Sequence, residues 1–377
     1  KQEANREIGV PGTGLCMLIG ITFTFYRKRH HERRRTYCWY ARGVVGRPEP
    51  RWKFDQPVEE RRFPTRGYDK GGPSVFTVTP FLIGWDGRPQ EFGAQLGIGE
   101  IDIAISGEDW IRERILEFKY EYDQDVELQK VLLLNRGAVR IVIIANDDVP
   151  DCDVWLKDLL SKKKLVTMVS EMPYIALEWF ERKAQALGFG DSHSLFSVQK
   201  FKTPPRIDSG IVIYESWGKT EAKIKNGAVD FGLEIVQTGS ALKNYGLKIV
   251  DEIMTSQTSI WANPAIKNNP AKYDLARMFL LNLYGSIFAE NKVLIFFNAR
   301  KSDVPKLMDY LKANALFADE PTVNEGVNFT EFSVQLAADR VDLPLAKVRY
   351  ELATLGATGI ETIPLESSIP GLDVLEF

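Results

Sequence analysis

The chain has 377 residues, of which 44% are hydrophobic and 26% are charged, and its formal net charge at pH 7 is -3. This length and apolar content allow two or three domains with buried cores, and they exclude a largely disordered chain. The nearly balanced charge and the pI near 5.9 provide no general attraction to nucleic acid or to an anionic membrane. The composition therefore predicts no nucleic-acid or membrane partner. Any phosphate site must be formed by a local group of residues and not by the overall charge.

The cysteines and the first apolar run indicate the compartment. Cys16, Cys38 and Cys152 are too few and too widely spaced for a disulfide framework or a zinc knuckle, which favours a reducing cytoplasm. The apolar run at residues 12–26 is shorter than the roughly 20 residues that span a bilayer. Positive charges follow this run instead of preceding it, so we expect a buried strand and not a secretory signal.

Residues 1–70 differ in composition from the rest of the chain. They contain about half of the chain's arginines, mixed with Trp39, Trp52, Cys38 and several prolines, and no helical or strand period persists after the first apolar run. Three interpretations stay open: a basic extension, an unusual first part of a domain, or a stretch whose sequence does not match the fold that follows.

From Ser74 onward, predicted strands alternate with predicted helices. The segments SVFTVTPFLIG, IDIAIS, AVRIVIIAN, SGIVIYES and LEIVQTG have the length and the β-branched content of strands. Helices are predicted from Gly107 and from about Ile175. Glu108 and Asp109 favour the first of these because acids in the first turn face the positive end of the helix dipole. This alternation is typical of an α/β domain with largely parallel sheets.

The last part of the chain has a different pattern. A long amphipathic helix is predicted over residues 272–289, followed by strand, helix, strand, helix and strand segments. A weaker extended piece at 321–323 would complete a βαββαβ order of about 85 residues. We therefore expect a separate C-terminal domain that binds a ligand or a partner subunit, or that is purely structural.

One strand ends in a small turn with charged neighbours. In the segment EIVQTGSALKNYGL, the strand reaches Thr238, Gly239 and Ser240, with Glu234 ahead of them and Lys243 behind. Main-chain N–H groups in such a turn can converge on a phosphate, and a carboxylate at the strand end can bind sugar hydroxyls. A simple change of chain direction is the alternative, because Thr-Gly-Ser alone is a weak motif.

Around this turn, residues 215–264 read ESWGKTEAKIKNGAVDFGLEIVQTGSALKNYGLKIVDEIMTSQTSIWANP. This stretch resembles ATP phosphoribosyltransferase, the first enzyme of histidine biosynthesis. Residues 99–113 are similar to the family's Gly-x-x-Asp-x-Gly-Ile-Thr-Gly-x-Asp-Trp segment, with Ala104 for its Gly and Ser106 for its Thr. The segments EPTVNEG and LGATGIETIPLE resemble the C-terminal regulatory domain of the long form. The matching positions of residues 215–264 are Ser216, Gly218, Thr220, Glu221, Lys223, Asp230, Thr238, Gly239, Leu242, Asn244, Leu247, Ala262, Asn263 and Pro264.

The resemblance implies a fold and a division of the chain. The expected fold is α/β: a two-lobed, periplasmic-binding-protein-like catalytic region with mixed sheets, followed by a ferredoxin-like βαββαβ domain. The expected parts are lobe I at 1–133, lobe II at 134–258, a return to lobe I at 259–289 and the regulatory domain at 290–377. Lobes that close on a ligand would have hinges near 128–140 and 256–262.

The resemblance also implies substrates and site residues. ATP and phosphoribosyl pyrophosphate would be joined with release of pyrophosphate, with Mg2+ as cofactor but no direct protein ligand to it, in a homo-oligomer of dimers assembled into hexamers. Histidine would inhibit by binding near Pro321 and Thr322. The residues expected to bind phosphoribosyl pyrophosphate are Glu234, Gln237, Thr238, Gly239, Ser240, Ala241 and Leu242. The other residues expected in the cleft are Asp102, Ser106, Gly107, Asp109 and Glu221.

Two positions depart from the family pattern. Ala241 stands where many members have Thr, which removes one possible phosphate donor, and no basic N-terminal strand of the family is visible in residues 1–70. No residue is predicted to act as a general acid or base. Two alternatives to the enzyme stay open: a non-catalytic two-lobed protein that binds a small anion, and a catalytically impaired regulatory subunit.

Overall fold

The computed structural model describes the backbone of four short strands and most of the chain after them. These strands are at 15–19, 65–66, 75–76 and 82–86, and the continuous parts are 89–316, 322–375 and residue 377. Apart from the first two strands, the predictions for residues 1–70 lie outside the described residues, as does Pro321. Among the residues that are described, no helix is long and apolar enough to cross a membrane.

The described residues divide into two compact units, one that runs up to Arg277 and includes Phe377, and one from Met278 to Leu375. The first unit contains an 11-stranded sheet whose strand order is β2-β3-β4-β1-β5-β11-β6-β10-β7-β9-β8. Its strands are β1 Leu15–Ile19, β2 Thr65–Arg66, β3 Val75–Phe76, β4 Leu82–Asp86, β5 Ile103–Gly107, β6 Gln129–Asn146, β7 Leu165–Ser170, β8 Phe196–Lys200, β9 Gly210–Glu215, β10 Phe231–Val236 and β11 Leu247–Ala262.

Helices connect and cover these strands. The predicted helix starts at Gly107 and near Ile175 are confirmed, since helices begin at Glu108 and Pro173. The helices before the second unit's sheet are α1 Pro89–Gly97, α2 Glu108–Tyr122, α3 Cys152–Lys162, α4 Pro173–Ala186, α5 Thr220–Lys225, α6 Ser240–Asn244 and α7 Pro270–Phe288, and a 3-10 turn spans Pro264–Asn268.

Two groups of parallel strands lie on either side of a long antiparallel pair. On one side β1 pairs in parallel with β4 and β5, and on the other side β7 pairs in parallel with β9 and β10, and β9 with β8. The pair between them is β6, with 18 residues, and β11, with 16 residues. This arrangement makes the sheet mixed, and it connects the two groups through β6 and β11.

The two parallel groups end facing each other along this pair. Gly107, the last residue of β5, pairs with Thr258 of β11. On the other side Val236, the last residue of β10, pairs with Arg140 of β6, which in turn pairs with Thr255 of β11. Ligands of open α/β sheets bind outside the carboxyl ends of strands, so the middle of β6 and β11 is where a cleft is expected.

Separate apolar clusters hold the first unit together. Ile141 and Ile143 point to the cluster that contains α4, while the alternate residues Val142 and Ile144 of the same strand pack with Leu242 on the other face. Because successive strand residues point to opposite faces, β6 is apolar on both sides and is covered on both.

The second unit is a four-stranded antiparallel sheet with the order β13-β14-β12-β15. Phe297 and Phe332 stack in its core with ring centroids 4.8 Å apart. Its elements are β12 Lys292–Arg300, α8 Val304–Ala313, β13 Thr322–Glu325, β14 Phe329–Ala337, α9 Leu345–Thr354 and β15 Thr358–Pro364, with a 3-10 turn at Leu372–Val374. The predicted fold class is confirmed: an α/β region with a mixed sheet, followed by an antiparallel domain of βαββαβ order. The division at 133, 258 and 289 stays a prediction.

Candidate functional site

The loop at residues 237–240 leaves β10 at its carboxyl end and leads into α6. Gly239 has φ +70°, a left-handed conformation that glycine adopts without steric cost. Gln237, Thr238 and Ser240 are exposed, whereas Ala241 and Leu242 are buried. The two apolar residues thus anchor the loop in the core, and the polar residues before them face solvent.

The donors of this loop are largely unused. Among the described residues, no group accepts a hydrogen bond from the main-chain N–H of Thr238 or of Gly239. The N–H of Ser240 has a long contact of 3.5 Å with Thr238 Oγ1, and the hydroxyls of Thr238 and Ser240 lie 3.1 Å apart. Hydrogen bonds of this type are usually near 2.9 Å, so the loop presents amides and hydroxyls that an anion can engage.

A charged cluster lies at the same edge of the sheet. Because β7, β9 and β10 are parallel, the residues at their carboxyl ends come together. The Glu171 carboxylate after β7 accepts a hydrogen bond from the Gly218 N–H after β9. Lys223 donates to Ser216 Oγ and, over 2.6 Å, to the Gly218 carbonyl. These bonds hold the turn before α5 beside Glu234 and Glu221.

Burial and like charge determine the protonation state of Glu234. Burial, reinforced by repulsion from the nearby carboxylates of Glu221 and Glu171, raises the pKa of Glu234 to about 8. Burial likewise raises the pKa of Glu171 and lowers the pKa of Lys223. Glu234 is therefore a neutral acid at pH 7, able both to donate a hydrogen bond and to accept one.

Ser106, Gly107 and Asp109 lie together at the carboxyl end of β5. Asp109 is buried, its N–H donates to Ser256 Oγ over 3.1 Å, and its Oδ1 accepts from the Trp110 N–H over 2.9 Å. Burial raises the pKa of Asp109. A Cβ on Gly107 would lie 2.2 Å from Asp109 Oδ1, so a larger residue there would displace the Asp109 carboxyl group. The acid is thus fixed at the start of α2 by its neighbours.

Two buried hydroxyls near this cluster lack partners. Ser106 and Ser259 are directly opposite in the β5–β11 ladder, and each is 0% exposed. Neither Oγ has a hydrogen-bond partner among the described residues. Since more than about 90% of buried polar groups are satisfied, these hydroxyls are exceptions that an ordered internal water would satisfy.

The remaining predicted residues are spread more widely. Asp102 precedes β5, about 17 Å of strand away from Gly107, and it forms a 3.1 Å ion pair with Lys272. Glu221, in the first turn of α5, joins the Glu234 cluster. Thr322 is exposed at the start of β13 in the second unit. The described residues include no group of three or more His, Cys, Asp or Glu side chains arranged to hold a metal.

Arg140 and Glu171 were not predicted as site residues. Arg140 lies on β6 opposite Val236, and its Nη2 would be 3.9 Å from a Cβ on Gly239. The sequence carried one signal for it, a single charged residue inside the apolar run AVRIVIIAN. Glu171, directly after the strand segment KLVTMVS, offered no signal beyond its position at a strand end.

The family model and the curated relatives indicate the same family. The model of the family described as HisG, ATP phosphoribosyltransferase, matches residues 88–283. The ATP phosphoribosyltransferases of Geotalea uraniireducens and Trichlorobacter lovleyi are 27% and 28% identical over 288 residues, which cover 75% of this chain and 83% of each relative. The ATP phosphoribosyl transferase (HisG:HisZ) complex from Thermotoga maritima aligns with a TM-score of 0.46 and 15% identity, over 72% of this chain and 98% of that one. Because the family model matches more than half of the chain, the protein belongs to the ATP phosphoribosyltransferase (HisG) family.

Proposed function

We propose that this protein is an active ATP phosphoribosyltransferase. It would transfer the phosphoribosyl group of phosphoribosyl pyrophosphate to nitrogen 1 of the adenine of ATP and release pyrophosphate, as the first step of histidine biosynthesis. Membership of the HisG family supports a transferase activity in histidine biosynthesis. The single observation that supports this specific reaction is the loop at 237–240. The main-chain N–H groups of Thr238 and Gly239 in this loop have no hydrogen-bond acceptor among the described residues.

This loop is proposed to bind the 5-phosphate of phosphoribosyl pyrophosphate. Adjacent N–H groups in a turn that contains a left-handed glycine form a concave anion site, and the hydroxyls of Thr238 and Ser240 add donors. Ala241 supplies no hydroxyl, but its burial holds the loop against the core. Fixing the 5-phosphate fixes the position of the ribose carbon that reacts.

Glu234 is proposed to orient the ribose. It lies four positions before Thr238 in sequence, and its neutral carboxyl group can donate to one sugar hydroxyl and accept from another. During the reaction the bond from the anomeric carbon to pyrophosphate breaks, and its electron pair leaves with pyrophosphate. A bond from nitrogen 1 of adenine to the same carbon forms. Because that nitrogen attacks with its own lone pair and carries no proton, no general base is needed.

ATP is proposed to bind at the carboxyl end of β5. Across the sheet, Gly107 and Val236 are three strand spacings apart, roughly 15 Å, with a further offset along the strands. The strands that they end run toward each other. This arrangement would bring the adenine and the ribose together above the middle of β6 and β11.

Magnesium is expected from the resemblance, but the described residues do not form a dedicated site for it. They contain no cluster of three or more ligating side chains, and the carboxyl groups of Glu234 and Glu171 have raised pKa values that oppose metal binding. We therefore propose no protein ligand for the ion. We propose that Mg2+ enters the site already bound to the phosphates of the substrates.

The second unit is proposed to be the regulatory domain. Its complete βαββαβ order and its own apolar core support an independent domain, and Thr322 is exposed at the beginning of β13. Histidine is the proposed inhibitor, and a homo-oligomer of dimers assembled into hexamers is the proposed assembly. Loss of activity on adding histidine, measured at subsaturating phosphoribosyl pyrophosphate, tests the first of these proposals.

The activity itself is tested by pyrophosphate release from the purified full chain with ATP, phosphoribosyl pyrophosphate and Mg2+. The proposal predicts release only when both substrates are present, with a matching amount of phosphoribosyl-ATP. Omission of each substrate in turn is the control. Binding of phosphoribosyl pyrophosphate without release would instead support the anion-binding protein or the impaired regulatory subunit, and it would overturn the enzyme proposal.

A further inference from the structure

Arg140 occupies a central position in the first unit. It lies on β6 between two strands, opposite Val236 of β10 on one side and Thr255 of β11 on the other. Val236 is the last strand residue before the loop at 237–240, so the strand register brings Arg140 to the point where that loop begins. Its alternation with Val142 and Ile144 puts it on the face where Leu242 of α6 packs.

The guanidinium group of Arg140 is directed toward this loop. Its Nη2 would lie 3.9 Å from a Cβ built on Gly239. Its Nη1 donates a 3.0 Å hydrogen bond to Glu252 Oε2 on β11. Among the described residues, no acceptor forms a hydrogen bond with Nη2. One arm of the guanidinium is therefore held by Glu252, and the other lies beside Gly239 of the loop.

A surface ion pair would explain the contact with Glu252 but not the direction of Nη2. Both side chains are partly exposed, 35% for Arg140 and 43% for Glu252, and such pairs contribute only about 0 to 1 kcal/mol to stability. Amides and hydroxyls are neutral donors, however, and a phosphate with two negative charges is bound best when a cation also contacts it. The planar guanidinium has donors that match phosphate oxygens, and its Nη2 lies beside the loop.

We propose that Arg140 binds the phosphate held by the loop at 237–240 and that Glu252 positions its guanidinium group for this contact. The inference rests on the proposed function for the identity of the phosphate, which is the 5-phosphate of phosphoribosyl pyrophosphate. It adds an arginine, distant in sequence, to a loop whose own residues at 237–240 are uncharged.

The test compares Arg140→Met with Arg140→Lys. The Met variant keeps the apolar stem and removes the charge. The Lys variant keeps the charge but lacks the paired N–H donors of the planar guanidinium group. We expect Arg140→Met to raise the KM for phosphoribosyl pyrophosphate by about ten- to a hundredfold, with the KM for ATP nearly unchanged. Arg140→Lys should recover part of this loss. Glu252→Gln should give a smaller increase, because the arginine stays but is no longer held.

Arg112→Met is the matched control. Arg112 is also a partly exposed arginine paired with a glutamate, Glu178 at 2.5 Å, but it lies on α2 and not beside the loop. It should leave both KM values unchanged. Thermal unfolding of every variant shows whether it is folded. If Arg140→Met and Arg140→Lys are folded and their KM for phosphoribosyl pyrophosphate equals that of the unmodified protein, the inference is wrong.

Direct binding separates this inference from the proposed reaction. Ribose 5-phosphate and ribose are titrated calorimetrically into the unmodified protein and into Arg140→Met. Weaker binding of ribose 5-phosphate by the variant supports the role of Arg140 even if the protein releases no pyrophosphate, a result that overturns only the reaction. Turnover with equal binding by both proteins overturns only the role of Arg140. If the unmodified protein neither releases pyrophosphate nor binds ribose 5-phosphate, both the proposed reaction and the role of Arg140 are overturned.

Discussion

The indole rings of Trp110 and Trp217 are stacked, with centroids 6.0 Å apart and planes inclined by 12°. Trp110 is buried in the first turn of α2, just after β5, whereas Trp217 follows β9 and is 56% exposed. The stack therefore connects the carboxyl ends of the two parallel strand groups. A change in the separation of these groups would alter the environment of Trp217 directly.

This contact makes the expected lobe closure measurable. The predicted hinges at 128–140 and 256–262 fall within β6 and β11, the strands that join the two groups. We expect phosphoribosyl pyrophosphate and ATP together to change the tryptophan emission of the protein, and Trp217→Leu to lose most of that change. Trp179→Phe, a substitution in the core, is the control and should keep it. Free and ligand-bound structures with superposable strand groups would contradict closure.

Substitution of Gly239 by alanine should impair substrate binding and lower stability moderately. A non-glycine residue at φ +70° costs about 1 kcal/mol or more, although the added Cβ would find only ordinary contact, 3.4 Å from Ile249 Cδ1. We expect the KM for phosphoribosyl pyrophosphate to rise about tenfold. Steady-state kinetics and urea unfolding measure the two effects.

Gly188→Ala is the control for Gly239→Ala. Gly188 also has a left-handed φ, +83°, with nothing within 4 Å of an added Cβ, and it follows α4, away from the loop. It should therefore lose a similar free energy of unfolding with unchanged KM values. Equal kinetic effects of the two substitutions would show that backbone strain, and not the phosphate loop, is responsible.

Glu234 should make stability depend on pH in a definite direction. Its pKa is raised from 4.5 to about 8 in the folded protein, so the folded state binds the proton more tightly than the unfolded state. The contribution of this group to the free energy of unfolding is therefore highest below about pH 4.5, and it is lost as the pH rises to about 8. Glu234→Gln, which resembles the neutral acid, should remove this dependence. Urea unfolding of both proteins at several pH values measures the difference, and parallel pH profiles would refute the assignment.

Glu113 should be a large contributor to stability. Its buried carboxyl group accepts hydrogen bonds from the main-chain N–H of Tyr174 at 3.0 Å and of Ile175 at 2.8 Å, in the first turn of α4. Glu113→Ala would leave both donors buried without a partner, at a cost of about 3 kcal/mol, while Glu113→Gln should cost about 1 kcal/mol.

Glu178→Ala is the control for Glu113, since it removes only a partly exposed ion pair and should cost less than about 1 kcal/mol. Chemical denaturation of the three variants gives the comparison. Similar losses for Glu113→Ala and Glu178→Ala would show that the bonds to α4 contribute little.

Local patterns were sufficient for most of the elements but not for the central strands. The starts of α2 and α4 were predictable because helical period and first-turn chemistry are local. β11 was not predicted as a strand because Asp251, Glu252 and Thr255 interrupt its apolar alternation, and several register shifts bend it. β6 begins at Gln129, well before the predicted start at Ala138. The prediction missed its first half because residues with positive φ interrupt the regular strand pattern there.

The same distinction applies to the candidate site. The loop at 237–240 could be predicted because its residues are consecutive in sequence. Arg140 could not, because only the pairing of β6 with β10 brings it to the loop. Asp102 was grouped with Ser106 by sequence proximity, whereas the extended geometry of β5 places them toward opposite ends of the strand. Distances between strands are set by register, which a single sequence does not specify.

A crystal structure of the protein with bound phosphoribosyl pyrophosphate would test the phosphate loop most directly. We predict that oxygens of the 5-phosphate lie within hydrogen-bonding distance, about 3 Å, of the main-chain nitrogens of Thr238 and Gly239. A 5-phosphate bound elsewhere, with these two amides still lacking an acceptor, would contradict the proposed site.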